Sequence, residues 1–149
     1  MASIIRRITS IFSRKKRTID ELLETTLNEF ADKFPYIDAI FLTRSDGLPL
    51  SSYQKKGIKG GASLPGLSTL LANISIKALN ELNLGGFLTL VLKTSKKFIA
   101  VVPIRKFPDI RLMVVASTTD EAKASLLRAY AEKMVRNLED LLSREGISF

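Results

Sequence analysis

The side chains that most often carry out chemistry in proteins are largely missing from this chain. It contains neither cysteine nor histidine, which excludes disulfides, thiolate nucleophiles, cysteine-ligated zinc and the most common general base. Carboxylates do occur side by side, as in Glu139-Asp140, but we expect this pair on an exposed helical face with no nucleophile nearby. A hydrolase is therefore disfavoured, and we expect neither a bound cofactor nor a bound metal ion.

A segment rich in lysine and glycine, from Tyr53 to Ser63, is the next candidate because such a loop could cradle a phosphate. A phosphate-binding P-loop needs the order G-x-x-x-x-G-K-[ST] between a strand and a helix. In this chain Lys59 precedes Gly60 and Gly61, so the lysine lies on the wrong side of the glycines. The pattern favours a solvated connector over a nucleotide site.

The positive charge of the chain is concentrated near its first residue. The formal net charge is +8. Residues 1–17 contain six basic and no acidic side chains (+6), whereas residues 18–149 contain 17 basic and 15 acidic ones (+2). The apolar residues of this basic segment are mostly isoleucine, not the aromatics on which bases stack, so we expect no nucleic-acid partner. No apolar run reaches the roughly 20 residues of a transmembrane helix.

Residues 1–17 have the pattern of an amphipathic helix. At 100° per residue, five apolar side chains share an arc of about 120°, and the arginines lie outside it. This arrangement favours a helix that attaches reversibly to an anionic membrane surface. A helix packed on a partner, a disordered segment and a mitochondrial targeting peptide are the alternatives. The predicted membrane-surface residues are Ile4, Ile5, Arg6, Arg7, Ile8, Ile11, Phe12 and Arg14.

The rest of the chain is predicted to form one domain over residues 18–143, followed by a tail over residues 144–149. Its central stretch runs from Tyr36 to Ser52, where two apolar runs flank Ser45-Asp46-Gly47. An Asp-Gly pair between such runs predicts a β-hairpin, because glycine readily adopts the positive φ of the turn. The first run does not alternate with polar residues, which indicates a strand covered on both faces.

Helices and further strands are predicted around this hairpin. Thr18-Ile19-Asp20-Glu21 is a capping-box pattern that begins a helix ending before Pro35. The order helix-strand-strand-helix-strand-strand-strand-helix predicts an α/β fold of the α+β sandwich type, with helices on both faces of the sheet. The later elements are a helix over Leu64–Leu84 ended by Gly85-Gly86, strands over Phe87–Thr94, Phe98–Ile104 and Arg111–Ser117, a loop over Arg105–Asp109, and a last helix capped by Thr118 or Thr119 and running to about Ser143.

The second helix is more apolar than a helix lying on one sheet needs to be. Its leucine, isoleucine and alanine side chains cover about two thirds of the helical wheel, whereas a stripe of a little over 100° is sufficient. Either a second copy of the chain covers the excess, or the first or last helix overlaps it within one subunit. We favour the second copy.

The chain resembles the roadblock/dynein light chain family, and in particular its stand-alone prokaryotic members. The resemblance rests on the hairpin from Ile40 to Ser51 with its Asp46-Gly47-Leu48-Pro49 turn, the leucine-rich helix 64–82, and Val101-Val102-Pro103-Ile104. It covers residues 18–142. It implies a roadblock/profilin-like fold with a five-stranded antiparallel sheet in the order 2-1-5-4-3, and a protein that is typically not an enzyme.

The resemblance also implies partners. Family members dimerise through strand three and the middle helix, with themselves or with a second roadblock protein. They scaffold or regulate small Ras-like GTPases, and some stimulate GTP hydrolysis. The implied interface residues here are Leu67, Leu70, Leu71, Ile74, Ala78, Phe87, Thr89 and Val91.

Three arginines near loops or strand ends, Arg44, Arg105 and Arg111, are the candidates for an arginine finger that would act on a bound GTPase. Each is more simply interpreted as an ordinary surface arginine. The alternative function is a membrane-associated structural adaptor with no GTPase partner. In both cases we expect a cytoplasmic protein that residues 1–17 can bring to the periphery of a membrane.

Overall fold

A computed structural model describes residues 19–58, 60–118 and 120–145. Within these residues the chain forms a five-stranded sheet and three α-helices, in the order expected from the sequence. The first helix, α1, covers residues 19–33. The other elements are β1 (Ile37–Arg44), β2 (Pro49–Gln54), α2 (Leu64–Glu81), β3 (Leu90–Lys93), β4 (Phe98–Ile104), β5 (Phe107–Ala116) and α3 (Glu121–Arg144), and a single 3-10 turn, Gly61–Ser63, precedes α2.

The sheet is antiparallel throughout, with the strand order β2-β1-β5-β4-β3. This confirms the predicted order 2-1-5-4-3. β1 and β5 are central, and all residues of β1 except Arg44 are buried, as expected for a strand covered on both faces. β2 and β3 form the two edges and are more exposed.

The predicted hairpin between β1 and β2 is confirmed. Gly47 adopts a positive φ of 89°, and the carboxylate of Asp46 accepts a hydrogen bond from the Leu48 amide at 3.0 Å. An added Cβ at Gly47 would lie 3.2 Å from Thr69 Oγ1 on α2. The turn therefore requires glycine both for its backbone conformation and for its close approach to the helix.

Different helices cover the two faces of the sheet. On one face, Leu27 of α1 and Leu138 of α3 share a large core with inward residues of β1, β4 and β5. On the other face, Phe41 and Met113 belong to a smaller core, against which Leu64 of α2 packs. Among the described helices, α1 and α3 thus lie together on one side of the sheet, and α2 lies on the opposite side.

The prediction that α2 is ended by the glycine pair is wrong, because the helix ends at Glu81. Asn83 takes a left-handed conformation with φ 54°. Its amide donates to the Asn80 carbonyl at 3.1 Å, and the Leu84 amide donates to the Leu79 carbonyl at 2.9 Å. This is the Schellman arrangement, in which Asn83 replaces the more common glycine.

β3 is shorter than the predicted Phe87–Thr94, since its pairing with β4 begins only at Leu90 opposite Val101. Continuing the ladder toward Phe87 would bring β3 alongside Pro103, which has no amide hydrogen to donate. The pairing of β4 with β5 also shifts register between Pro103 and Ile104. Pro103 therefore lies at an irregular end of β4, as expected for a residue that cannot donate to a ladder.

Two further boundaries differ from the prediction. The loop expected over Arg105–Asp109 is a tight turn at Arg105-Lys106, and β5 already begins at Phe107. The cap of α3 is Asp120, whose carboxylate accepts from the Lys123 amide at 3.0 Å, and is neither of the predicted threonines. The Thr118 hydroxyl instead accepts a hydrogen bond from the Asp120 amide at 3.2 Å, which holds the backbone just before the first turn of α3.

Candidate interaction surface

The helix α2 carries two apolar stripes on different sides. Pro65, Ser68 and Ala72 are buried against the sheet. Leu70 and Ile74, which point away from it, are 57% and 59% exposed. The fully buried residues of α2 are small, whereas the outer stripe holds large aliphatic side chains, so much of the apolar surface of this helix is not covered by its own sheet.

We define the outer stripe as Leu67, Leu70, Leu71, Ile74 and Ala78. Leu67, Leu70, Ile74 and Ala78 are exposed and Leu71 is partly buried. These positions follow the three- and four-residue spacing of one helical face. Lys77 and Glu81 are the charged residues of α2, so the helix offers little charge to keep this face in water.

No described element of the same chain covers the outer stripe. The two other helices pack on the opposite face of the sheet, where Leu27 and Leu138 are fully buried. The alternative that the first or last helix overlaps α2 within one subunit is therefore wrong. A contiguous apolar face of this kind on a folded domain usually marks an interaction site.

The apolar surface extends from α2 to the edge strand β3. Leu90 packs against the small core beneath α2, and Leu92, two residues further on the same side of the strand, is 38% exposed. The connecting segment contributes Leu82, Leu84 and Leu88, each at least 65% exposed. Within the described residues, the outer edge of β3 has no strand beside it.

Comparison with known proteins gives a consistent result at the level of structure. No family model matches the chain, and no curated protein matches it. A roadblock/LC7 domain from Streptomyces avermitilis aligns with a TM-score of 0.68 and 16% identity, covering 80% of this chain and 97% of that one. The chain has the roadblock/LC7 fold.

Two MglB structures support the same assignment of the fold. MglB from Myxococcus xanthus aligns with a TM-score of 0.64 and 15% identity, over 79% of this chain and 88% of that one. MglB in a tetrameric arrangement aligns with a TM-score of 0.64 and 19% identity, over 83% and 93% of the two chains. At these identities the similarity establishes the roadblock fold, and the predicted fold class is confirmed.

The structure separates the predicted interface residues of this roadblock fold into two groups. The five residues of the outer stripe lie together, and four of them are exposed. Thr89 and Val91 face the opposite side: the Thr89 hydroxyl donates to Glu132 of α3 at 2.8 Å, and Val91 packs against the large core. Phe87 is partly buried in the segment before β3.

The exposed residues Leu82, Leu88 and Leu92 lie within the helix and strand, Leu67–Leu82 and Phe87–Thr94, that the resemblance implies for the interface, but they are not among the residues named for it, and Leu84 lies outside both ranges. Leu92 could have been predicted from Leu90, because side chains two residues apart in a strand point to the same face of the sheet. The three leucines before β3 lie in an irregular segment, and no periodicity in the sequence predicts their exposure.

The three candidate arginines have different environments. Arg44 is the last residue of β1 and pairs with Asp46 of the following turn at 3.6 Å, with both side chains about half exposed. Arg105 is exposed in the β4–β5 turn. Arg111 is only 5% exposed, and burial lowers the pKa of its guanidinium, an effect that Asp109 partly opposes. The interpretation of Arg111 as a surface arginine is therefore wrong, and it cannot reach into a partner as a finger.

The described residues give no role to the other features considered in the sequence, which are a metal site, the predicted connector and a membrane-binding segment. Among the residues that the structure describes, no group of acidic side chains is arranged to hold a metal ion. The segment predicted as a connector, Tyr53–Ser63, is not entirely a loop, because its first two residues belong to β2, which ends at Gln54. No described helix combines the length and the apolar character needed to cross a bilayer. The predicted membrane-surface residues all lie in residues 1–17, outside the described part of the chain.

Proposed function

We propose that the protein is a non-enzymatic, roadblock-type scaffold that dimerises through the outer stripe of α2 and the free edge of β3. The observation that carries this proposal is the uncovered apolar surface that these two elements share. Leu70 and Ile74 alone leave more than half of their area in water. Covering such side chains contributes about 25 cal/mol per Å² of apolar area.

A second copy of the chain fits this surface for reasons of symmetry. Two β3 edges paired antiparallel about a two-fold axis would continue the sheet from one subunit into the next. The same axis, perpendicular to the sheet, keeps both α2 helices on one side, so their outer stripes can meet. The tetrameric arrangement of MglB is an assembly formed by a protein of this fold, which supports the proposal.

The proposed partner of the dimer is a small Ras-like GTPase. The family resemblance in the sequence and the shared fold with MglB support this assignment. Two adjoining α2 helices would give the GTPase a platform that neither subunit has alone. Any stimulation of GTP hydrolysis would act by positioning the switch elements of the GTPase. Of the three candidate arginines, Arg44 and Arg105 are exposed and could contact the bound GTPase.

We further propose that residues 1–17 attach this platform reversibly to an anionic membrane surface on the cytoplasmic side. Their charge of +6 would add roughly 1 kcal/mol per basic residue close to the lipid headgroups. Membrane attachment would concentrate the dimer where membrane-bound GTPases are found.

The decisive experiment mixes the purified full-length protein with Ras-like GTPases from the same cell. Complex formation is measured by interferometry, and phosphate release is timed with each GTPase loaded with GTP. We expect a complex with at least one GTPase, which Ile74→Glu weakens and Asn80→Glu, on the polar side of the same helix, does not. Absence of binding to every GTPase, from a protein that is dimeric, would favour the structural adaptor.

A further inference from the structure

A cleft of about 430 Å³ lies beside α3, at the corner of the sheet that β3 leaves open. The ladder between β3 and β4 starts at Leu90 opposite Val101. Within the described residues, Val102 and Pro103 therefore have no strand beside them on the β3 side, and they line the cleft. Its volume falls within the range of about 300–1,000 Å³ that is typical of small-molecule sites.

Two hydrogen bonds hold the walls of the cleft against α3. The Thr89 hydroxyl, in the segment before β3, donates to Glu132 Oε1 at 2.8 Å. The Lys106 amide, in the turn between β4 and β5, donates to Glu139 Oε1 at 3.4 Å. Glu132 and Glu139 are two turns apart on one face of α3, so the cleft is anchored at both ends and is preformed.

The cleft has an apolar floor and a charged rim. Val102 and Val135 are 4% and 5% exposed and belong to the large core from which the floor is built. Arg105 and Arg136 line the same cleft and are exposed. Neither arginine forms an ion pair with any residue that the structure describes, so both guanidinium groups are available to a ligand.

The charged residues are spread along the cleft. Arg105 precedes Lys106 and therefore lies toward the Glu139 end. Arg136 is in the middle, one helical turn from each glutamate. At a rise of 1.5 Å per residue, Glu132 lies about 6 Å from Arg136 and about 10 Å from Glu139 along the helix axis. The arginines thus occupy one part of the cleft, and Glu132 occupies the other end.

The formal charges of the two arginines and two glutamates cancel. An anionic ligand would therefore meet the two carboxylates, and a cationic ligand would meet the two guanidinium groups. A ligand that carries both charges can match both parts of the cleft. Arginine suits the carboxylate of such a ligand because its planar donors match the two oxygens. Among the described residues, Glu132 accepts only through Oε1, which leaves Oε2 for an ammonium group.

A compact ligand fits this corner better than an added strand of a second protein. Pro103 has no amide hydrogen, so a strand placed along this end of β4 would not continue a regular ladder. A small molecule bound through side chains needs no such ladder. The apolar floor would contact its hydrocarbon part.

We propose that this cleft binds a small zwitterion whose charged ends are separated by an apolar body, such as a dipeptide or an ω-amino acid. Its carboxylate is held by Arg105 and Arg136, and its ammonium group is held by Glu132. Its apolar body lies on Val102 and Val135.

This site is separate from the surface proposed for dimerisation. Its floor belongs to the core that α1 and α3 cover, whereas the outer stripe belongs to α2 on the opposite face of the sheet. Binding of the zwitterion is therefore expected to leave the dimer intact, and loss of the dimer would not remove the site.

The test is isothermal titration calorimetry of the full-length protein with alanyl-leucine and with ε-aminocaproate. Two matched ligands are N-acetyl-alanyl-leucine, which lacks the ammonium group, and alanyl-leucine amide, which lacks the carboxylate. Wild type is compared with Arg136→Met, Glu132→Gln and, on a different element, Arg105→Met. The control is Arg144→Met, which loses the same charge at an exposed position of α3 outside the cleft. Circular dichroism verifies that each variant is folded.

We expect wild type and Arg144→Met to bind at least one of the two zwitterions with equal dissociation constants. Arg136→Met and Arg105→Met should bind it roughly tenfold more weakly, because each loses a charge-assisted interaction with the carboxylate. Each blocked dipeptide should likewise bind wild type roughly tenfold more weakly than alanyl-leucine does. Glu132→Gln keeps an acceptor for Thr89 but loses the negative charge, so it should no longer distinguish alanyl-leucine from its N-acetyl form.

Three results would overturn the proposal. They are no binding of either zwitterion to wild type, equal binding of a blocked dipeptide and alanyl-leucine to wild type, and equal binding of the zwitterion to wild type and to both arginine variants of the cleft.

Discussion

Replacing Ile74 by glutamate should separate the proposed dimer without unfolding its subunits. Ile74 lies in the middle of the outer stripe and is 59% exposed in the single chain. Most of its side chain therefore contributes nothing to the subunit's own core. Substitutions at such surface positions usually change the free energy of unfolding by no more than about 0.5 kcal/mol.

The expected effect on the dimer follows from the exposed fraction. Fully burying an isoleucine side chain contributes about 1.5–3 kcal/mol, so a residue 59% exposed has roughly 1–2 kcal/mol left to gain at an interface. Two-fold symmetry doubles this to about 2–4 kcal/mol. Burying a carboxylate in its place adds a desolvation cost. A loss of about 3 kcal/mol or more raises the dimer dissociation constant at least about 100-fold.

Sedimentation velocity over a dilution series measures this constant directly, and urea unfolding of the same samples reports the stability of the subunit. Asn80→Glu is the matched control, because it adds the same carboxylate on the polar side of α2. We expect Ile74→Glu to sediment as a monomer at concentrations where wild type and Asn80→Glu are dimers. Equal dissociation constants for the two variants would refute the assignment of the interface to the outer stripe.

Three further outcomes test the fold and the segment before it. Asp38 Oδ2 accepts from Lys97 Nζ at 2.5 Å, and the Asp38 side chain is 11% exposed. Asp38→Asn should therefore lower the free energy of unfolding in urea by about 2 kcal/mol. Lys93→Gln, which breaks a largely exposed ion pair, should lower it by less than about 0.5 kcal/mol. Equal losses for the two variants would contradict the burial of Asp38. Gly47→Ala should lower the free energy of unfolding by about 1–2 kcal/mol, because alanine is strained at φ 89°, and an unchanged value would count against the turn geometry. Deleting residues 1–17 should abolish co-sedimentation with anionic vesicles at low salt, and a truncated protein that sediments as well as the full chain would exclude a membrane role for them.

The features that could be predicted from the sequence depend on local chemistry. The β1–β2 hairpin follows from an Asp-Gly turn whose backbone requirement only glycine meets easily. The excess apolar surface of α2 follows from counting side chains around its wheel. In the structure the inner part of that surface is buried and the outer part is exposed.

The features that were missed depend on neighbours distant in sequence. Arg111 looks like a surface residue until the register places it beside Thr43 and under α2. β3 is shortened by Pro103 of the adjacent strand, which its own residues do not reveal. Thr118 and Asp120 are both good capping residues, so their sequence alone could not decide which one caps α3.

The central claim, that two copies meet through the outer stripe, can be tested by cross-linking because the chain contains no cysteine. Single cysteines are placed at Leu67, Leu70, Ile74 and Ala78, with Asn80→Cys as the control, and each protein is oxidised under mild conditions. The account predicts a covalent dimer for at least one position of the stripe and none for the control, since a disulfide needs Cα atoms within about 7 Å. No cross-link at any stripe position, or equal cross-linking at Asn80, would contradict it.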